Sequence, residues 1–160
     1  MSVDSNDPVH GSGEARHELL VIETGGRLLG VFTEVVNGIV AGKIPAPLPR
    51  APVSVLGVIA FRGRMLTVID PLPLLGGPTR VAAPAIAVAL SGDEQLALAA
   101  DSSRGAIEIS SADILVSKHD SDQEIIYGAL HRDGEQISIL NVPKLFGATV
   151  QQYERRRRRF

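Results

Sequence analysis

The run Leu56-Gly57-Val58-Ile59-Ala60-Phe61-Arg62-Gly63-Arg64-Met65-Leu66-Thr67-Val68-Ile69-Asp70 constrains the fold more than any other part of the chain. Two apolar stretches flank Arg62-Gly63. A two-residue break ending in glycine between apolar runs reads as a β-hairpin, because that loop matches the twist of paired strands. The pattern returns from Gly128 to Asn141, with its break at Asp133-Gly134. Gly57 and Gly128, Gly63 and Gly134, Asp70 and Asn141, Leu74 and Leu145, and Gly76 and Gly147 all stand 71 positions apart. A constant offset over such a length marks two related β-units.

The chain has 160 residues, enough for one domain with a core or for two small fused lobes. Only 4% of its residues are aromatic, so burial must come from Val, Ile, Leu and Ala, and the β-branched members of that set favour strands. Without cysteine there is no disulfide framework, no thiolate metal site and no cysteine nucleophile. Met1 to Arg16 lacks the apolar centre of a signal peptide, and no apolar run approaches the roughly 20 residues of a membrane helix. The expectation is a soluble cytoplasmic protein. The net charge of −2 conceals an asymmetry, since five of the 16 basic residues are Arg155 to Arg159 while residues 1–154 carry 11 basic and 18 acidic side chains.

Residues 1–16, rich in Ser, Asp, Gly and His, read as a disordered arm. Strands are expected over Glu18–Glu23 and Leu28–Phe32, turning at Thr24 to Arg27. Thr33–Val40 fits either a helical turn or a third strand. Pro45, Pro47, Pro49 and Pro52 make the approach to the first hairpin an extended connection. Pro71–Gly76 reads as one helical turn capped by Asp70 and stopped by Gly76-Gly77-Pro78. The second unit repeats the order: strands over Ala85–Leu90, Gln95–Asp101 and Ser103–Ile109, a polar connection from Ser110 to Glu124, the second hairpin, and a short turn at Val142–Phe146. Short strands with frequent turn signals suggest small closed barrels, and no strand-helix-strand alternation points to a parallel sheet.

At the tip of the second hairpin, Asp133-Gly134 supplies the residues that tolerate positive φ. Arg62 holds the equivalent place in the first hairpin, where Asp or Asn suits the turn better. A guanidinium lifted into solvent there is either an ordinary surface charge or a group that pairs with a partner's carboxylate. The apolar runs Val55–Phe61 and Met65–Ile69 require cover on both faces, and burial between the two units is the expected source for most of them.

Leu48-Pro49-Arg50-Ala51-Pro52, then Val55 to Gly63, then Val68-Ile69-Asp70 resemble the signature of the CheW-like domain family. The resemblance runs from about Glu18 to Gly147 and includes Tyr127-Gly128-Ala129-Leu130. That family includes the coupling protein CheW and the regulatory domain of the kinase CheA. The resemblance implies a mainly all-β fold of two SH3-like five-stranded β-barrel subdomains packed around a shared core, with short helical turns. It divides the chain into an arm (1–16), a CheW-like domain (17–148) and a basic tail (149–160). It also implies a non-enzymatic adaptor that joins the cytoplasmic tip of a methyl-accepting chemoreceptor to a CheA-like histidine kinase. By position, the binding residues are Val36, Gly38, Ile39 and Arg62, with a kinase-facing apolar edge on the first barrel. Gly57, Gly63, Asp70, Gly128 and Gly134 are the structural turn and motif residues. The chain departs from the family at Gly38, where an acidic residue is usual, at Thr67, where proline is frequent, and at Pro71, where leucine is common. Gly38 bears on the receptor contact and suggests a divergent member that serves another receptor pathway.

No catalytic or cofactor pattern emerges. His10, His17, His119 and His131 lack metal-site spacing. Gly11-Ser12-Gly13 is not a nucleophile elbow, and there is no phosphate loop or dinucleotide fingerprint. Asp70 and Asp101 as paired carboxylates compete with the capping role of Asp70. No cofactor, metal or specific nucleic acid is expected. Arg155–Arg159 offers weak contact with an anionic surface, or simply a solvated tail. Two rival functions are a small nucleic-acid-binding barrel that uses this tail and a small-molecule sensor or enzyme with a pocket between the barrels.

Overall fold

The structure, a computed structural model, describes residues 15–116 and 125–150. Most of the arm, the second half of the polar connection and the arginine tail, with His10 and His119, therefore lie outside the described residues. The described strands are β1 (Arg16–Thr24), β2 (Arg27–Phe32), β3 (Val36–Ala41), β4 (Val55–Phe61), β5 (Arg64–Ile69), β6 (Ile86–Leu90), β7 (Leu96–Ala100), β8 (Ser102–Ser110), β9 (Leu115–Val116), β10 (Ile126–Arg132) and β11 (Glu135–Leu140). Thr33–Val35 forms a 3-10 turn before β3, so both alternatives for that stretch are realised in succession. A one-turn helix, Pro71–Leu74, follows β5, and the 3-10 turn Val142–Lys144 runs into helical residues 145–150.

The strands form a six-stranded sheet ordered β8-β1-β2-β11-β10-β9 and a five-stranded sheet ordered β3-β6-β7-β5-β4. β9, only two residues long, accounts for the strand beyond the expected five. The sequence repeats do not map one to each sheet. β2 of the first repeat pairs in parallel with β11 of the second, Ile137 opposite Leu28 and Ile139 opposite Gly30. β5 of the first pairs in parallel with β7 of the second, Thr67 opposite Leu96 and Ile69 opposite Leu98. Each sheet thus takes one hairpin from each half of the chain.

This exchange explains the burial of strands with no polar face. Leu19 and Val21 of β1 line a core inside the six-stranded sheet with Ile109, Leu130, Ile137 and Ile139. Leu20 and Ile22 point the other way, into a core shared between the sheets with Leu29, Val31, Val88, Leu90 and Leu98. β6 and β7 alternate likewise, sending Ala87, Ala89, Ala97 and Ala99 into a third core within the five-stranded sheet. The first hairpin is buried between the two sequence units as expected, against the second-unit residues Ala87, Ala89, Ala97 and Ala99. Ile59, Leu66 and Val68 line the core of their own sheet, and Ile69 alone of β4 and β5 reaches the shared one. The sheet curves round its own small core, so Ala60 and Met65 on its outer face stay exposed.

The repeated glycines have a common cause. Ala46 crosses β4 and exchanges two hydrogen bonds of 2.9 Å with Val58, so a Cβ on Gly57 would lie 2.2 Å from the Ala46 carbonyl oxygen. β9 crosses β10 in the same way, and a Cβ on Gly128 would lie 2.7 Å from the Leu115 oxygen. The two hairpin turns also coincide: Arg62 and Gly63 have φ of 49° and 76°, Asp133 and Gly134 of 53° and 77°.

Candidate docking site

β3 pairs with β6 through Val36 opposite Leu90, Gly38 opposite Ala89 and Ile39 opposite Val88, leaving Asn37 as an extra residue. Such a bulge reverses the alternation of side chains. Val36 and Ile39, three positions apart, consequently share the side of Leu90 and Val88, whereas Gly38 shares that of Ala89. Val36 packs against the shared core, while Ile39 is 44% exposed. Close by, Val35, Leu90 and Leu96 line a shallow groove with Val142 and Pro143, which follow the last strand of the other sheet, and with the polar Ser91, Glu94 and Gln95 between β6 and β7.

Gly38 has φ of 149°, and a Cβ there would meet Phe61 Cζ at 2.9 Å. The Phe61 ring thus fills the space that a side chain would need. Arg62 does not reach out from the tip as the sequence suggested. Its Nη1 donates to the Asn37 carbonyl at 3.1 Å and its guanidinium lies 4.7 Å from the Phe61 ring centroid. The reason is proximity: curvature brings β3 and β4, the two edges of the five-stranded sheet, close enough for side chains to bridge them. Lys43 Nζ donates to the Ala60 carbonyl across the same seam. In the other sheet Arg132 Nη2 donates to the Glu108 carbonyl at 2.9 Å, joining β10 to β8. Each arginine supplies a donor to a strand edge that would otherwise be open. Val36, Gly38, Ile39 and Arg62 are therefore brought together along one seam, with Arg62 still exposed.

Asp70 and Asp101 meet, but around a cation. Asp70 is fully buried and its Oδ1 accepts from Leu72 N at 3.1 Å, capping the short helix as expected. Arg80, with a side chain 9% exposed, places Nε 3.5 Å from Asp70 Oδ2 and Nη1 2.6 Å from Asp101 Oδ1. Its Nη2 donates to Thr24 Oγ1 at 2.6 Å, and Gly25 N donates to Asp101 Oδ2 at 2.9 Å. The hydrogen bond from Arg80 holds the Asp101 carboxyl below its ordinary range, against the opposing effect of burial and with help from the Gly25 N–H. The cluster clamps the β1–β2 turn of one sheet to the ends of β5 and β7 in the other. Sequence reasoning missed Arg80, Phe61 and Lys43. A lone arginine in the apolar, proline-bearing stretch between the repeats was the available signal for Arg80.

Of the two described histidines, His17 stacks edge-on against Phe32, with centroids 5.3 Å apart, and Phe32 against Tyr127 at 5.6 Å. His131 lies on the outward side of β10.

Residues 18–150 match the model of the CheW-like domain. Protein FrzA of Myxococcus xanthus is 31% identical over 141 residues, a match that covers 84% of this chain and 88% of FrzA. The crystal structure of the scaffolding protein TtCheW from Thermoanaerobacter tengcongensis superimposes with a TM-score of 0.70 at 21% identity, covering 79% of this chain and 90% of TtCheW. The two packed sheets correspond to the paired SH3-like subdomains of that fold. The hairpin repeat, the crossing over Gly57 and Gly128 and the extent of these matches agree: the chain belongs to the CheW-like domain family.

Proposed function

We propose that this protein is a non-enzymatic cytoplasmic adaptor that couples a receptor of the methyl-accepting type to a CheA-like histidine kinase. Family membership and likeness to a scaffolding protein support the reading. The observation that carries it is the bulge at Asn37, which turns Val36 and Ile39 to one side, with Val36 opposite Leu90, a residue that lines the groove between the sheets. Hydrophobic anchors beside a groove, with a guanidinium along the seam, make a surface suited to gripping another protein. Val36 and Ile39 supply apolar contact there and Arg62 supplies orientation. The outer face of the first hairpin serves the kinase. Gly38 leaves its own position without a carboxylate and with Phe61 seated in its place, so the receptor this surface fits differs at that point from one that requires an acidic contact there.

The test is capture of the kinase and receptor from the same cell by the immobilised full chain. Ile39→Glu should abolish receptor capture while leaving the urea midpoint unchanged, because Ile39 is exposed. Failure of the wild-type chain to retain either partner refutes the adaptor reading.

A further inference from the structure

Helical residues 145–150 present two unlike sides. Leu145 is fully buried, Thr149 nearly so, and Ala148 packs against the shared core, which pins one side to the body. Phe146, 49% exposed, and Val150, 38% exposed, lie four positions apart and so share the outward side. Their spacing continues in the sequence. Phe146, Val150, Tyr153 and Phe160 follow at intervals of four, three and seven residues, the recurrence of a single helical stripe. The chain has only four Phe and two Tyr, so half of these rings belong to the stripe. Arg155 to Arg159 are interleaved with it, and Glu154 is the one acidic residue after Glu135.

We infer that Phe146, Val150, Tyr153 and Phe160, together with Arg155–Arg159, form a helical strip that docks on an anionic lipid surface, with its rings at the acyl boundary and its guanidiniums among the headgroup phosphates. An aromatic face beside a dense basic run is the composition of helices that lie in a membrane interface, and each basic residue near such a surface is worth about fivefold in affinity. The acidic body does not oppose this. At 1.5 Å per helical residue, Arg155–Arg159 stand about 8–14 Å beyond Val150. The Debye length at 0.15 M salt is about 8 Å, so repulsion between the body and the surface is largely screened at that separation. A coiled-coil partner fits less well, because the stripe spans two heptads where a stable seam needs about three or more. Arg157 would also put a charge inside such a seam, whereas on lipid its guanidinium reaches up to the headgroups. A nucleic acid fits less well because it follows a basic track, and the 11 basic and 18 acidic side chains of residues 1–154 leave the body acidic. The inference goes beyond the adaptor reading and does not depend on it.

The probes are vesicles of phosphatidylcholine alone and of phosphatidylcholine mixed with phosphatidylglycerol, and the assay is flotation of the full chain. The chain should float with the anionic vesicles and not with the neutral ones, and should gain helical circular dichroism on binding. Partitioning should weaken severalfold between about 0.05 and 0.3 M salt as the Debye length shortens. Replacing all of Arg155–Arg159 by glutamine should lower the partition coefficient at least about 100-fold. Y153S/F160S, which lies outside the described core, should lower it at least about tenfold and retain the wild-type urea midpoint. F146S/V150S should act in the same direction. Absence of flotation, equal flotation with neutral vesicles, or indifference to Y153S/F160S overturns the inference. So does tighter binding of a DNA duplex or of an acidic helical peptide at the same residues, or self-association of the chain that F146S/V150S abolishes. Kinase and receptor capture tests the adaptor reading separately, since no vesicle enters that assay.

Discussion

Replacing Arg80 by methionine removes the cation from a site where Asp70 has no access to water. Methionine preserves much of the apolar stem, so the change isolates the guanidinium. Three contacts disappear: the 2.6 Å bonds to Asp101 and Thr24 and the 3.5 Å approach to Asp70. Asp101 is half exposed and water replaces much of what it loses, whereas Asp70 is left as an uncompensated buried charge. Breaking a buried pair from one side costs about 3–5 kcal/mol, a large part of the 5–15 kcal/mol typical of a folded domain. At roughly 2–4 °C per kcal/mol for a chain of this size, the melting temperature should fall by about 6–20 °C. Urea denaturation at pH 7 should show the loss as a lower midpoint at constant slope. The double variant D70N/R80M should regain most of it, because asparagine also caps helices and carries no charge. Asn141 stands at the corresponding position of the second repeat. The reasoning fails if R80M lies within about 1 kcal/mol of wild type, below the range for a broken buried pair, or if D70N/R80M is no more stable than R80M.

The folded-state lowering of Asp101 stabilises the protein above the unfolded carboxyl value of about 3.9 and is lost as pH falls through the folded value; melting curves from pH 7 to 3 should show Asp101→Asn losing less stability than wild type over the acid limb. Gly57→Ala should destabilise by about 2–4 kcal/mol, combining overpacking against a backbone carbonyl with a φ of 144°, and Gly128→Ala should cost less because its approach is longer and its φ unexceptional; urea midpoints decide the order. Arg62→Ala removes one exposed bond and a ring contact, a stability loss of about 1 kcal/mol, while receptor capture should drop much further. An unchanged capture would reduce Arg62 to a seam fastener.

Local chemistry made the hairpins legible. Arg62-Gly63 and Asp133-Gly134 announce the same turn, the 71-residue offset announces the duplication, and Asp70 before Pro71 announces a cap that the structure contains. Partner choice between strands was not legible. The pairings β2–β11 and β5–β7 join residues far apart in the chain, and an apolar strand carries no mark of which neighbour it will meet. The same ambiguity hid the destination of Ile59, Leu66 and Val68, since the alternation within β4 and β5 is compatible with either core. The site residues Val36 and Ile39 came from resemblance; that they share a side depends on a bulge at Asn37 that no period reveals. Arg62 drew attention as an ill-suited turn residue, yet its bond to Asn37 needed the seam to be seen. The sequence left a carboxylate pair at Asp70 and Asp101 as an alternative to capping, because nothing in it ties Arg80, 10 and 21 positions away, to either.

The exchange of hairpins between the halves has a consequence during synthesis. β2 is on the ribosome's exit side long before β11, its lateral neighbour, has been translated; the two are separated by more than 100 residues. At roughly 5–20 residues per second, that edge stays unpaired for about 5–20 s. The β4–β5 hairpin likewise waits for β7. The nascent chain therefore carries open apolar edges until almost its last strand emerges, the condition under which strands of neighbouring chains join instead. Cellular yield should depend on whatever shields those edges in the interval, more than on the stability of the finished molecule.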